Sequence, residues 1–169
     1  MRGLKAFGTP GQRERIDARF QQVGSWLRQT VPQDTEDRVF RLRALHLIDD
    51  AAADVGEAAR ELLATQRADG GWSQLPDGES DPYATGTALV ALHATGRLDT
   101  ADAEYRKGLS YLLSTQQADG SWHVVSRSKP FQTYFESGYP HGKDQFISIA
   151  GASWATTALA LALPVDKGQ

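Results

Sequence analysis

One stretch of the chain occurs twice. Glu61-Leu62-Leu63-Ala64-Thr65-Gln66-Arg67-Ala68-Asp69-Gly70-Gly71-Trp72 returns as Tyr111-Leu112-Leu113-Ser114-Thr115-Gln116-Gln117-Ala118-Asp119-Gly120-Ser121-Trp122, shifted by 50 residues throughout. A fixed offset of this size marks a repeat architecture, in which each unit buries its apolar face against the next. Upstream of each copy the apolar spacing also matches. Val55, Ala59, Leu62, Leu63 and Gln66 follow the same i, i+4, i+7, i+8, i+11 pattern as Tyr105, Leu109, Leu112, Leu113 and Gln116. That pattern is one face of an amphipathic helix. Ala-Asp-Gly follows in both copies, and Gly70 or Gly120 is expected to close the helix in the left-handed conformation.

A second type of helix follows each amphipathic one. Residues 82–96 contain no Asp, Glu, Lys or Arg, which predicts a helix buried on most sides, and residues 145–165 are likewise uncharged. Arg38 to Ile48, with Val39, Leu42, Leu45 and Ile48 on one face, is an earlier and more polar counterpart; its partner runs from Ile16 to Leu27. Almost nothing alternates as a strand would. The expectation is all-α: three helix-pair repeats over about 9–48, 51–96 and 101–165, within one domain spanning 1–169.

Composition removes several classes. The absence of cysteine excludes disulfide scaffolds, thiolate metal sites and cysteine nucleophiles. A net charge of -3 argues against nucleic-acid binding by phosphate neutralisation. Met1-Arg2-Gly3-Leu4-Lys5 has no apolar stretch behind its basic residues, so the reading is a soluble chain without a signal peptide, its compartment unassigned. The uncharged run 145–165 has the length of a membrane span, but Ser148, Gly151, Ser153, Thr156 and Thr157 weaken it, and a buried helix is the better reading.

Gln66…Gly70…Trp72 and Gln116…Gly120…Trp122, each behind a helix ending in Leu-Leu, resemble the QW motif of the prenyltransferase and squalene-cyclase repeat family. The first repeat, with Trp26-Leu27-Arg28-Gln29-Thr30-Val31-Pro32, has lost the Gly and the Trp. The resemblance implies a terpenoid-cyclase-like α/α-toroid, its inner helices around an apolar, isoprenoid-type cavity and its outer helices in a second ring. The family's ring takes about six pairs. Met1 to Gly8 aligns with Leu89 to Gly96, the tail of an inner helix. The expectation is therefore the C-terminal half of a larger toroid, completed by a missing N-terminal half or by a second copy of the chain.

Terpene cyclases of this family start the reaction from an Asp-x-Asp-Asp motif at the head of an inner helix. In that register stand Asp34-Thr35-Glu36-Asp37, with Glu36 in the middle, and Asp81-Pro82-Tyr83-Ala84-Thr85, which keeps only the first acid. Glu36, Asp37 and Asp81 are the candidate acids for acid-initiated isoprenoid cyclisation. The competing role is helix capping, and with it a non-catalytic ligand-binding or interaction scaffold. The zinc site of the family's protein prenyltransferases needs a cysteine, so no metal and no cofactor is expected.

The link 123–146 is longer than the one after Trp72 and rich in aromatics: Phe131, Tyr134, Phe135, Tyr139 and Phe146. Its Glu136, His141 and Asp144 suit a metal or a polar cavity mouth; a packed lid with tight turns over 138–142 is the alternative. Arg38, Arg41 and Arg43 suit an isoprenoid diphosphate or a solvated helix face. His46 and His93 read as structural, and Trp154 as core or cavity wall.

Overall fold

The computed structural model of the chain describes residues 1–48, 52–129 and 133–164. Phe131 and Val165, both part of the expectations above, lie outside the described residues. Seven α-helices appear among them: α1 (Arg2–Phe7), α2 (Arg13–Gln29), α3 (Thr35–Ile48), α4 (Ala52–Leu63), α5 (Pro82–Ala94), α6 (Ala103–Thr115) and α7 (Gln145–Leu161). The protein is all-helical, as the periodicity predicts. No helix among the described residues is long and apolar enough to cross a membrane.

The helices form two rows. α3, α5 and α7 lie side by side in an inner row, while α2, α4 and α6 pack behind them. Small residues draw the inner row together. A Cβ added at Gly86 of α5 would sit 2.7 Å from the Trp154 carbonyl carbon of α7. Ala84, Ala88, Ala91, Ala155 and Ala158 are buried beside this contact. Such close backbones gain dispersion contacts that longer side chains would prevent. Apolar spacing does the rest: Val55, Ala59 and Leu62 of α4, and Tyr105 and Leu112 of α6, all face the core.

Helix ends differ from expectation in instructive ways. α4 and α6 stop at Leu63 and Thr115, several residues before the glycines. Gly70 (φ +87°) and Gly120 (φ +83°) instead close a separate turn beyond each helix. There the Arg67 N–H donates to the Gly71 carbonyl and the Gln117 N–H to that of Ser121. A side chain at Gly70 is excluded twice over, by its positive φ and by the Lys107 carbonyl oxygen 2.5 Å from any Cβ. α3 begins at Thr35, not at Arg38, which places Glu36 and Asp37 in its first turn. α7 is only half-buried, exposing Phe146 and Ile149. α1 is a short helix with no buried residue.

The two copies of the repeat match atom for atom at their tryptophans. Trp72 and Trp122 are both buried, and their indole N–H groups donate to the Leu62 and Leu112 carbonyls at 3.0 and 2.8 Å. Each adds a donor to a carbonyl in the last turn of its helix, which also accepts the hydroxyl of Thr65 or Thr115. Gln66 and Gln116 serve the turn: their amides donate to the carbonyls of Gly70 and Gly120. Gln66 also donates to the Glu104 carbonyl at 2.8 Å, which ties its repeat to the next.

Candidate functional site

The three inner helices each begin just after an aspartate, and each aspartate is committed to backbone. Asp34 Oδ1 accepts the Asp37 N–H at 2.9 Å. Asp81 Oδ1 accepts the Ala84 N–H at 2.9 Å, and its Oδ2 takes the backbone and side-chain N–H groups of Gln74. Asp144 Oδ1 accepts the Ser126 N–H and Oδ2 pairs with His123 Nε2 at 2.9 Å. Asp34 and Asp81 thus accept from the first turns of α3 and α5, where a negative group is favoured, whereas Asp144, at the head of α7, makes no side-chain cap bond to that helix. Burial raises the Asp81 carboxyl above its ordinary range, against the lowering by its Ala84 and Gln74 donors. For Asp144 burial works in the same direction but is outweighed by His123 and Ser126, so that carboxyl lies below its ordinary range.

Two acids remain in the first turn of α3. Asp37 Oδ2 accepts the Gln33 N–H at 2.9 Å, so it too holds backbone. Glu36 does not. Among the described residues its side chain accepts only the Tyr83 hydroxyl of α5, on Oε1 at 3.1 Å. Tyr83 is a residue that sequence reasoning passed over, although it stands two places after Asp81. Its phenol is pushed up to about 12, first by burial and then by the charge and hydrogen bond of Glu36.

Glu36, Phe40 and Arg43 fall on one side of α3 by their i, i+4, i+7 spacing. At the far end of this stripe the Arg43 guanidinium lies 5.9 Å from the Phe40 ring centroid and 5.5 Å from that of Trp154 on α7. The side chain therefore reaches across α5, over the place where Gly86 lets α7 come close. The other two arginines are spent on structure. Arg38 donates to the Asp34 carbonyl, and Arg41 to the Leu27 carbonyl and to Glu61. Phe40 is 55% exposed and Trp154 half-exposed, so the open face is aromatic.

In the long link Glu136, His141 and Asp144 each take a different partner. Glu136 accepts from the Tyr134 hydroxyl and the Gly138 N–H, and His141 Nε2 pairs with Ser121 Oγ at 2.9 Å. Asp144 is held by His123 instead. No group of three His, Cys, Asp or Glu residues suited to a metal occurs among the described residues. Tyr134 and Phe135 are exposed, so the segment does not shut over them. What anchors it is Gln145, a residue missed in the sequence: fully buried, it donates to the Phe135 carbonyl and accepts the Ser137 N–H at 2.6 Å. His46 is exposed, while His93 Nδ1 faces the Leu98 carbonyl at 3.3 Å.

Two clefts flank this face. One, about 440 Å³, lies at the head of α5 among Gln74, Leu75, Asp81, Tyr111, His123 and Arg127. Several of its polar groups are already paired: Arg127 donates to Gln74 Oε1 and the Tyr111 hydroxyl to the Ser80 carbonyl. The other, about 490 Å³, is an apolar groove between α2 and α3 lined by Trp26, Leu27, Val31 and Phe40.

No curated protein matches the chain. Residues 33–156, from the head of α3 to the middle of α7, match the squalene-hopene cyclase C-terminal domain. With its all-helical, α/α-toroid-class architecture, the chain belongs to the squalene-hopene cyclase C-terminal domain family.

Proposed function

We propose that the open face of α3, α5 and α7 binds an isoprenoid chain and that Glu36 starts its cyclisation as a general acid. One observation carries this reading: of the candidate acids, Glu36 alone makes no bond to backbone, and it shares a helix face with Phe40 and Arg43. A capping carboxylate is held in place by the N–H groups it accepts, whereas a general acid must gain and lose a proton. The Tyr83 hydroxyl occupies Oε1, which leaves Oε2 as the atom to carry that proton.

The step is balanced within the ligand and Glu36. The proton leaves Oε2 for the terminal alkene carbon, a C–H bond forms as the π bond breaks, and a tertiary carbocation results. The next alkene of the same chain closes the ring, and loss of a proton at the end restores the acid. The net change is an isomerisation. The rings of Phe40 and Trp154 supply negative π faces toward positive charge moving along the chain.

A scaffold that binds without chemistry is the second reading, favoured by the exposure of Glu36 to solvent. Incubation with a linear polyprene, followed by mass-resolved chromatography, separates the two. Cyclisation predicts an isomeric product of unchanged mass that disappears in Glu36→Gln and persists in Asp81→Asn. Binding without product, or product formation indifferent to Glu36→Gln, overturns the acid assignment.

A further inference from the structure

We infer that the chain pairs with a second copy of itself, the α7 of each copy seated in the groove between α2 and α3 of the other. The inference is independent of the isoprenoid reading and starts from how the inner helices meet inside one chain. Asp34, Asp81 and Asp144 stand at the heads of α3, α5 and α7 and bring the three into register. Where α5 meets α7, a Cβ added at Gly86 would lie 2.7 Å from the Trp154 carbonyl carbon, and one at Gly151 would lie 3.5 Å from the Tyr83 nitrogen. Tyr83 and Gly86, two and five places after Asp81, therefore form the forward face of α5. Gly151 and Trp154, seven and ten places after Asp144, form the rear face of α7. The same positions are buried one step earlier: Val39 on the forward face of α3, and Ala88 and Ala91 on the rear face of α5.

That register leaves two faces over. Phe146 and Ile149, the forward positions of α7, are 53% and 36% exposed, and α7 carries no charged residue along its length. Arg41 and Ala44, the rear positions of α3, line the apolar groove together with Trp26, Val31 and Phe40. The charges at this groove are already used within the chain. Arg41 donates to Glu61 and the Leu27 carbonyl, and Asp37 accepts the Gln33 N–H, so an uncharged helix meets no unpaired ion there.

The outer row selects the same occupant. α4 packs on α3 and α6 on α5, so each of these inner helices is backed by the outer helix that follows it. An α7 seated in the groove of a second copy has α3 of that copy as its next inner neighbour and α2 as its backing helix. One contact thus fills both places, and it removes Phe146, Ile149, Trp26 and Val31 from water together. The two faces lie at opposite ends of the inner row and cannot meet within one copy. A closed pair makes the contact twice and exposes neither face, whereas an open chain of copies leaves one of each uncovered. Phe40 borders both the groove and the open face of α3, so a docked α7 also fixes one wall of that face.

Light scattering coupled to size-exclusion chromatography of the full chain, over rising concentration, tests the pairing. The expected result is twice the mass of the chain. Ile149→Glu and Val31→Glu each place a charge on one of the two surfaces, at positions that the single chain leaves exposed. Each variant should run at the mass of one copy with an unchanged circular dichroism spectrum, while Leu113→Glu, exposed elsewhere on α6, should still pair. Mixing the first two variants joins one sound α7 to one sound groove, and a weaker pair should return. A single-chain mass at millimolar concentration overturns the inference, as does a dimer that withstands either substitution. A mixture no better associated than its parts overturns the head-to-tail contact, and species growing beyond two copies overturn its closure. Each copy keeps its own core, so unfolding of the dilute, unpaired chain does not involve the contact.

Discussion

The Tyr83 hydroxyl donates to Glu36 Oε1 at 3.1 Å, joining the first turn of α3 to the first turn of α5. The Glu36 carboxylate therefore acts on the Tyr83 phenol. Burial is the larger reason that Tyr83 ionises only at about 12, and the Glu36 charge and hydrogen bond add to it. Glu36→Gln should lower the Tyr83 pKa and still leave it above 10, because burial is untouched. Ring-labelled tyrosine followed by NMR through alkaline pH reads this directly. The stability due to this group is fully present below the unfolded value of 10 and is lost as pH rises through about 12. An unchanged or higher Tyr83 pKa in Glu36→Gln would show that the pair is not coupled.

Gly86 and Gly24 are both helical glycines, and alanine should act on them with opposite sign. Replacing a helical glycine by alanine gains about 1 kcal/mol of propensity. At Gly86 the new methyl would lie 2.7 Å from the Trp154 backbone, and overpacking of this kind costs about 1–3 kcal/mol. At Gly24 the nearest atom is Arg28 Nη1 at 3.1 Å, the end of a long side chain that can shift by a few tenths of an ångström while keeping its pair with Asp54. Urea denaturation should thus find Gly86→Ala destabilised and Gly24→Ala stabilised. Because Gly86 sets the approach of α7, its alanine variant should also change Trp154 fluorescence by disturbing the stack on Arg43. Equal stability changes at the two sites would contradict the close packing of α5 on α7.

The helix order is legible in the sequence because buried and amphipathic periodicities differ, and because the repeat supplies two readings of each element. Trp72 and Trp122 announce their equivalence by spacing alone. What spacing misses is where each helix stops: Leu63 and Thr115 end their helices early because the turns at Gly70 and Gly120 are separate structures, closed by Gln66 and Gln116. The candidate site is legible only in part. Glu36 is visible by register, whereas its partner Tyr83 lies 47 residues away and is joined to it only by the packing of α3 on α5. Arg43 is indistinguishable from Arg38 and Arg41 in a charge pattern. Only the contacts show which two are occupied and which one meets aromatic rings.

The buried tryptophan of the repeat is a strut, and its removal should be felt far more than that of its exposed relative. Trp72 is 0% exposed and caps the Leu62 carbonyl, while Trp26 of the first repeat is 60% exposed. Trp72→Ala should cost about 3–5 kcal/mol, as large-to-small changes in a packed core do. Trp26→Ala should stay within about 0.5 kcal/mol, the usual range for surface substitutions. Denaturation midpoints of the two variants provide the comparison. A small effect at Trp72 would mean that the core does not depend on the repeat's tryptophan.

Asp81 is held between two demands, since its carboxylate caps α5 while burial favours its neutral form. Its folded pKa therefore lies above the ordinary 3.8. The sign of the linkage follows: the folded state binds this proton more tightly than the unfolded state. The resulting stability is fully present below pH 3.8 and is lost as pH rises through the raised value. Asp81→Asn cannot ionise and keeps an acceptor for the Ala84 N–H, so its stability relative to the unmodified protein should improve as pH rises from the acid range to neutrality. Asp81→Ala removes the cap itself and should cost about 0.5–2 kcal/mol. Urea unfolding of the three proteins across that pH range decides the matter. If the Asn variant instead loses ground as pH rises, the hydrogen bonds from Ala84 and Gln74 outweigh burial, and the charged cap is the more stable form.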